Sequence, residues 1–302
     1  DFLKENSQES KYTEFKFYLE KIVHAKLPAG ETILVDSIAF QVGKMVNEIC
    51  KSPNINTNNL SELFKMIRDV KFTKHTEGYS FMLKSFNKSA GNWNEYIEFV
   101  EWWGWESFRK EDYLSEEYNG KKMLSLAERV YIAYSKKLIE KYSEVFGEET
   151  KTIQIKIEKF ILKLDELIKK QPEYQYPIYY KTKLLIITGK AEKAVSEFLP
   201  FARKKRSEFW VWEVLSDTFA DGDERKTACL CKALTLKTKE DFLIKIREKL
   251  AEILIAEEKY AEAKTEIEKI MEVRAANNWK IPDDLAYLQQ SDWYKATESF
   301  KN

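Results

Sequence analysis

Residues that turn or break a chain are scarce in this sequence. Its 302 residues include only 9 glycines and 6 prolines, whereas 33% of the residues are charged and 44% are hydrophobic. Glycine and proline mark turns, while the abundant Glu, Lys, Leu, Ile and Ala favour helices. A protein built from many short strands is therefore disfavoured, and the composition predicts an all-α fold with long helices.

Histidine and cysteine are also too few for most site chemistry. The only histidines are His24 and His75, so a zinc site with several histidine ligands is excluded. Cys229 and Cys231 lack the second cysteine pair of a structural zinc site, and with Cys50 they are expected to be reduced thiols. No glycine-rich phosphate loop or Gly-x-Ser-x-Gly motif occurs. We therefore expect no metal, no cofactor, no catalytic residue and no enzyme activity.

Neither an excess of charge nor a long apolar run is present. Fifty basic residues balance fifty acidic ones, so no global field draws the protein to a polyanion or a membrane. No segment approaches the roughly 20 apolar residues that span a bilayer. We expect a soluble, cytoplasmic protein without membrane association, in which any nucleic-acid contact is local.

The candidate nucleic-acid patches are Lys71 and Lys74, and the run Arg203, Lys204, Lys205 and Arg206. Exposed turns are the favoured interpretation of both, and RNA binding is the alternative.

Apolar residues recur at helical spacing along most of the chain. The pattern predicts helices near residues 12–23, 32–50, 60–70, 79–86, 124–146 and 152–170, with a polar break at residues 109–122. Residues 93–108 hold the densest aromatic cluster, which includes Trp102, Trp103 and Trp105. The spacing of this cluster favours a buried core at a joint between two halves of the chain. Stacking on bases or on an apolar peptide is the alternative.

The C-terminal half repeats itself. Ala194, Ala228 and Ala263 lie 34 and 35 residues apart, and Phe198 and Ile267 follow the first and the last by four. A small residue at this period, followed by a larger apolar one, is typical of stacked helical hairpins. Position 232, four after Ala228, holds a lysine, so the middle repeat is imperfect. We count three repeats and a fourth, less regular one before them.

The repeats divide the chain into two predicted parts. Residues 1–120 form an N-terminal helical region, with an aromatic-rich joint near residues 93–108. Residues 121–302 form degenerate hairpin repeats of the tetratricopeptide (TPR) kind. Stacked repeats need a closing element, and residues 283–299 are predicted to be one capping helix.

Several segments resemble a family of bacterial TPR-like proteins without an established activity. The resemblance rests on residues 209–215 (FWVWEVL), 231–234 (CKAL), 260–267 (YAEAKTEI) and 279–282 (WKIP). Residues 101–106 (EWWGWE), 118–122 (YNGKK) and 172–177 (PEYQYP) are similar to the same family. Members of that family carry a cold-shock-like β-barrel after the helical part, of which this sequence contains nothing. The resemblance implies an RNA-linked setting and supplies no catalytic residues.

The resemblance to TPR arrays also predicts a binding face. In such arrays the first helix of each hairpin lines a concave surface with its second, fifth, ninth and twelfth positions. The predicted face consists of Tyr176, Tyr179, Lys183, Trp210, Glu213, Asp217, Lys245, Glu248 and Glu252, together with Ile186, Ala220 and Ile255. It is aromatic at one end and acidic at the other, so it does not suit an acidic peptide terminus. We expect a non-enzymatic scaffold for a protein or peptide segment with apolar and basic character; an RNA-associated accessory protein is the alternative, and an enzyme with an unrecognised site is third.

Overall fold

The computed structural model of the chain describes residues 2–25, 31–118 and 120–300. These residues form fifteen α-helices and one two-stranded sheet, which confirms the all-α fold class. The chain divides into two compact units, Asp1–Tyr180 and Lys181–Asn302. No described helix is both long and apolar enough to cross a membrane.

The first unit contains seven complete helices and the start of an eighth. They are α1 (Phe2–His24), α2 (Thr32–Ile49), α3 (Thr57–Ile67), α4 (Glu77–Phe86), α5 (Tyr96–Trp103), α6 (Leu126–Glu144) and α7 (Glu148–Lys170). Helix α8 (Tyr176–Ile187) follows, and the division between the units falls within it. All six helices predicted before residue 171 are present, with ends displaced by a few residues or, for the first, by about ten.

The aromatic cluster is a core within the first unit. Trp103 is fully buried and stacks on Tyr79 of α4, with ring centroids 5.1 Å apart. The Trp103 indole N–H donates to the Tyr79 carbonyl, and the Tyr79 hydroxyl donates to the Trp103 carbonyl, both at 3.0 Å. Each buried polar group is thereby satisfied by the other residue. Trp93 is also buried, against Phe64 and Phe86.

The predicted polar break contains a short hairpin that the sequence analysis missed. Strands β1 (Glu116–Tyr118) and β2 (Lys121–Met123) pair antiparallel. Gly120 takes a positive φ of 70° at the turn, a conformation that costs glycine little. The Lys84 ammonium on α4 lies 2.8 Å from the Glu116 carboxylate, so an ion pair holds the hairpin against the helices.

Three helical hairpins build the second unit, the first of them beginning in α8. Their remaining helices are α9 (Ala191–Lys204), α10 (Phe209–Ser216), α11 (Glu224–Leu234), α12 (Ile244–Ala256) and α13 (Tyr260–Ala276). The first helices of the hairpins begin at Tyr176, Phe209 and Ile244, which lie 33 and 35 residues apart. This near-constant period agrees with adjacent helix pairs that repeat along the chain.

The small residues of the repeat are buried in two hairpins and not in the middle one. Ala194 and Ala263 are fully buried, as the alignment predicts, whereas Ala228 is exposed. Ala194 and Ala263 are each the fourth residue of their helix, but Ala228 is the fifth residue of α11. One additional residue rotates a side chain by about 100° around a helix. Cys229, Leu230 and Ala233 are therefore the residues that α11 buries.

The prediction of one continuous capping helix at residues 283–299 is wrong. The segment forms α14 (Asp283–Gln290) and α15 (Asp292–Ala296), separated by Ser291 in an extended conformation. The break lets Trp293 stack on Tyr260 of α13, with ring centroids 5.1 Å apart. Tyr294 and Leu285 are buried against α13 and α12. The segment thus still covers the last hairpin, as a capping element must.

Candidate functional site

Three predicted face residues lie on one side of α10 and its C-terminal end. Trp210, Glu213 and Asp217 follow one another at intervals of three and four, which aligns them along one helix face. The Trp210 ring is partly buried, with its centroid 5.8 Å from that of Phe201 on α9. An aromatic ring and two carboxylates therefore lie side by side.

The two carboxylates share one lysine that the sequence analysis missed. The Lys249 ammonium on α12 lies 3.1 Å from Glu213 and 2.7 Å from Asp217. Side-chain exposure is 12% for Glu213, 25% for Asp217 and 30% for Lys249, so solvent screens this cluster only in part. Burial opposes the charged form of Lys249, but the two carboxylates outweigh burial and raise its pKa.

This ion cluster also shows how the hairpins are arranged. A lysine on α12 reaches Glu213 on α10 and Asp217 directly after it, so the first helices of consecutive hairpins lie within reach of one lysine side chain. Such a row of first helices is what a shared face along the second unit requires. Lys249 directly follows Glu248, which stands at a predicted face position. Its position in the repeat was visible in the sequence, but its partners depend on the packing of α10 against α12.

The face residues on α12 differ in their partners. Glu248 pairs with Arg274 of α13 at 3.3 Å, and the Arg274 guanidinium also donates to the Lys280 carbonyl at 3.0 Å. Lys245 and Glu252 are exposed, and within the described residues neither makes an ion pair. Glu252 is therefore the predicted face acid whose charge remains available to a partner.

The predicted face residues on α8 fall on both sides of the division between the units. Tyr176 and Tyr179 belong to the first unit, where Tyr176 is 45% exposed and Tyr179 packs edge-on against Tyr180 at 4.9 Å. Lys183 belongs to the second unit and is partly buried.

The two predicted basic patches differ in how far acids neutralise them. Lys74 pairs with Glu106, and hydrogen bonding to Lys74 lowers the pKa of that carboxyl, so only Lys71 of the first patch remains without an ion pair among the described residues. The second patch ends α9. Its members Arg203, Lys204, Lys205 and Arg206 make no ion pair within the described residues. The Trp212 indole N–H donates to the Arg206 carbonyl at 2.8 Å and fixes this turn to α10.

The three neighbouring tryptophans have different surroundings. Trp103 is buried, which confirms the core interpretation for this residue. Trp102 is partly buried among Phe64 and Phe99, and its indole N–H donates to the Arg68 carbonyl at 3.1 Å. Trp105 is partly exposed, so its ring remains accessible to a ligand.

The described residues offer little for metal or thiolate chemistry. Among them, no group of three or more His, Cys, Asp or Glu side chains could hold a metal ion. Burial raises the pKa of the thiols of Cys50, Cys229 and Cys231. These thiols are therefore protonated at neutral pH and poor nucleophiles.

One comparison with known proteins matches the C-terminal part of the chain, but it assigns no function to it. Residues 175–302 match the model of a family described as a domain of unknown function (DUF7017). The match begins one residue before α8 and extends through the three hairpins and the closing helices. No curated protein is significantly similar to the chain. From α8 onward, the chain is thus similar to a family defined by a domain of unassigned function.

Proposed function

We propose that the helical hairpins from α8 onward are a TPR-like array that works as a non-enzymatic scaffold and binds a peptide or protein segment of apolar and basic character. The first helices begin 33 and 35 residues apart, close to the 34-residue TPR period. The buried Ala194 and Ala263 support the same assignment, because a small residue there permits close helix packing. A bacterial, cytoplasmic setting belongs to this proposal through the family resemblance.

The observation that carries the proposal is the composition of the α10 face. Two carboxylates, Glu213 and Asp217, share the single ammonium of Lys249, which leaves one negative charge beside the Trp210 ring. Glu252 on α12 adds a second unpaired acid to the predicted face. An aromatic anchor next to residual negative charge favours a segment that presents an apolar and a basic side chain.

The internal ion pairs decide which substitutions can test this idea. Replacing Glu213 would remove one of the two carboxylates that contact Lys249, and replacing Glu248 would remove the carboxylate that pairs with Arg274. Either change would disturb the fold as well as the face. Glu252 makes no such pair in the described chain and is exposed. Glu252→Lys therefore changes the charge of the face and leaves the ion cluster in place.

A peptide library of randomised sequence, bound to the full chain, tests the proposal. We expect selection of basic and apolar residues, with weaker binding of the selected peptide by about thirtyfold in Trp210→Ala, as for an aromatic hot spot. Glu252→Lys should weaken binding several-fold at low salt and much less at high salt. The matched control is Glu272→Lys, the same change at an exposed site on α13. Selection of acidic peptides, or equal effects of the two lysine variants, would count against the proposal.

RNA association through the basic turn is the second candidate function. It is favoured by one observation, that the four cations at residues 203–206 make no ion pair in the described chain. Titration of labelled single-stranded RNA at two salt concentrations tests it, because phosphate contacts give steep salt dependence. Substitution of Arg203, Lys204 and Arg206 by Gln should reduce that slope by about two if these side chains contact phosphates. An unchanged slope would argue against this function.

A further inference from the structure

An open groove in the first unit combines aromatic rings with lysines. It has a volume of about 500 Å³, within the range typical of sites for small ligands. Its aromatic residues are Trp105, Tyr134 and Phe160, and its lysines are Lys156, Lys159 and Lys163. All of these residues belong to the first unit, and none of them belongs to the predicted binding face.

The aromatic side of the groove is a rigid platform. The Trp105 ring lies 4.6 Å from Tyr131, 5.0 Å from Tyr134 and 5.3 Å from Phe160, measured between centroids. Tyr134 and Phe160 are buried, whereas Trp105 remains partly exposed. Because three aromatic neighbours hold the indole in place, a planar ligand could stack on it at little cost in ordering.

The lysines form a row along α7. Lys156, Lys159 and Lys163 are spaced by three and four residues, so they project from the same side of the helix. Lys156 is neutralised by Glu101 at 2.7 Å. Lys159 makes no ion pair within the described residues, and the Lys163 ammonium lies 5.9 Å from the centre of the Trp105 ring.

The charge of the groove selects for anions. Its charged lining residues are the three lysines and Glu101, and the pair between Lys156 and Glu101 leaves two lysines without an ion-pair partner in the lining. These two are Lys163, beside the accessible ring, and Lys159, about one helical turn before it on α7. Glu106, which pairs with Lys74, lies near enough to Lys163 for its pKa to be lowered in part by that lysine. A ligand that suits both features carries a planar aromatic group and a negative charge about one helical turn away.

We propose that this groove binds a nucleotide, with the base stacked on Trp105 and the phosphate held by Lys159 and Lys163. Proteins that bind single-stranded nucleic acids without sequence preference use the same two interactions, stacking of bases on aromatic rings and contact of phosphates with basic side chains. On binding, the Lys163 ammonium leaves its weak contact with the ring and turns to the phosphate. The nucleotide is either a free molecule or one unit of a single strand, since the open groove accepts both.

The test measures binding of a labelled single-stranded oligonucleotide to the full chain by fluorescence anisotropy at two salt concentrations. We expect Lys159→Gln with Lys163→Gln to weaken binding at least tenfold at low salt and to reduce the salt slope by about 1.4. Lys169→Gln, at an exposed lysine on the same helix outside the groove, should leave binding unchanged. Equal losses in the groove and control variants, or no binding at low salt, overturn the proposal.

Two further arms separate stacking from charge alone. An abasic oligomer with the same phosphates should bind at least fivefold more weakly, and Trp105→Phe should retain most of the binding that Trp105→Ala loses. If Trp105→Ala fails to fold, as circular dichroism would reveal, the lysine variants and the abasic oligomer still decide the question. Equal affinity for the abasic oligomer overturns the stacking assignment and with it the proposal.

The source of the nucleotide and the contribution of the basic turn are separated in the same assay. Displacement of the label by AMP at a concentration similar to that of the oligonucleotide supports a free nucleotide, whereas displacement by oligonucleotide alone supports a strand. Substitution of Arg203 and Lys204 by Gln tests the turn at the end of α9. If this turn variant removes all binding and the groove variant removes none, the groove is not the site.

Discussion

Replacing Lys249 by methionine should destabilise the protein by leaving two carboxylates without a counter-charge. Methionine keeps most of the aliphatic side chain, so the substitution removes mainly the ammonium that contacts Glu213 and Asp217. Breaking a fully buried pair costs about 3–5 kcal/mol, and a fully exposed pair contributes about 1 kcal/mol or less. Because Glu213 is 12% exposed and Asp217 is 25% exposed, we expect an intermediate loss of about 2 kcal/mol in the free energy of unfolding.

Urea unfolding of the wild type, Lys249→Met and the triple variant with Glu213→Gln and Asp217→Asn measures this loss. The triple variant should recover about 1–2 kcal/mol, because it removes the unpaired charges that the single variant leaves. Lys245→Met is the matched control, an exposed lysine on the same helix without an ion pair in the described chain, and should change stability by less than about 0.5 kcal/mol. Equal stability of the two methionine variants would refute the argument.

The stability difference between the wild type and Lys249→Met should also depend on pH, which gives a second test of the ion cluster. The pKa of Lys249 is raised above its ordinary 10.5 in the folded state. Its contribution is therefore fully present below pH 10.5 and is lost as the pH rises through the folded-state value. The stability difference between wild type and Lys249→Met should be constant from neutral pH to about pH 9 and shrink in stronger alkali. A difference that grows with alkali would contradict this assignment.

Three other substitutions test the fold. Burial raises the pKa of Glu128 above its ordinary 4.5, so the protein loses stability as the pH rises from 4.5 through the folded-state pKa. In thermal unfolding, Glu128→Gln should melt at a higher temperature than the wild type at pH 7, and the difference between their melting temperatures should narrow toward pH 4. Asp112 is buried and accepts hydrogen bonds from Ser80 at 2.6 Å and from the Arg109 backbone at 2.8 Å, so Asp112→Ala should cost about 3 kcal/mol in urea unfolding. Ala263→Leu should overpack the last hairpin and lower the free energy of unfolding by about 1–3 kcal/mol. The control Ala275→Leu, at an exposed position of the same helix, should leave stability nearly unchanged.

Much of the fold could be predicted from helical periodicity, but the exceptions have local causes. The hairpin of β1 and β2 was missed because its strands have three residues each, too few for an alternating pattern. The dipeptide Asn119-Gly120, a hairpin signal in its own right, was the clue in the sequence. The closing segment was predicted as one helix because its apolar residues continue in register, while the break at Ser291 depends on packing of Trp293 against Tyr260.

The sequence indicated which residues share a helix face, but it did not indicate which basic side chains pair with the acids. The repeat period places Trp210 and Glu213 on one side of α10, and Asp217 directly follows the end of that helix. That Lys249 pairs with Glu213 and Asp217, and Arg274 with Glu248, could not be predicted, because each partner belongs to a different helix from its acid. Trp105 presents the same difficulty, since its partial exposure depends on where α6 and α7 pack. Whether the face binds a peptide stays a prediction.

A crystal structure of the full chain with the tightest peptide from the library would test the proposed function most directly. The proposal predicts an apolar peptide side chain against the Trp210 ring and a basic one within about 4 Å of the carboxylate of Asp217 or Glu252. A peptide seated on the second helices of the hairpins, away from Trp210 and both of these acids, would contradict it.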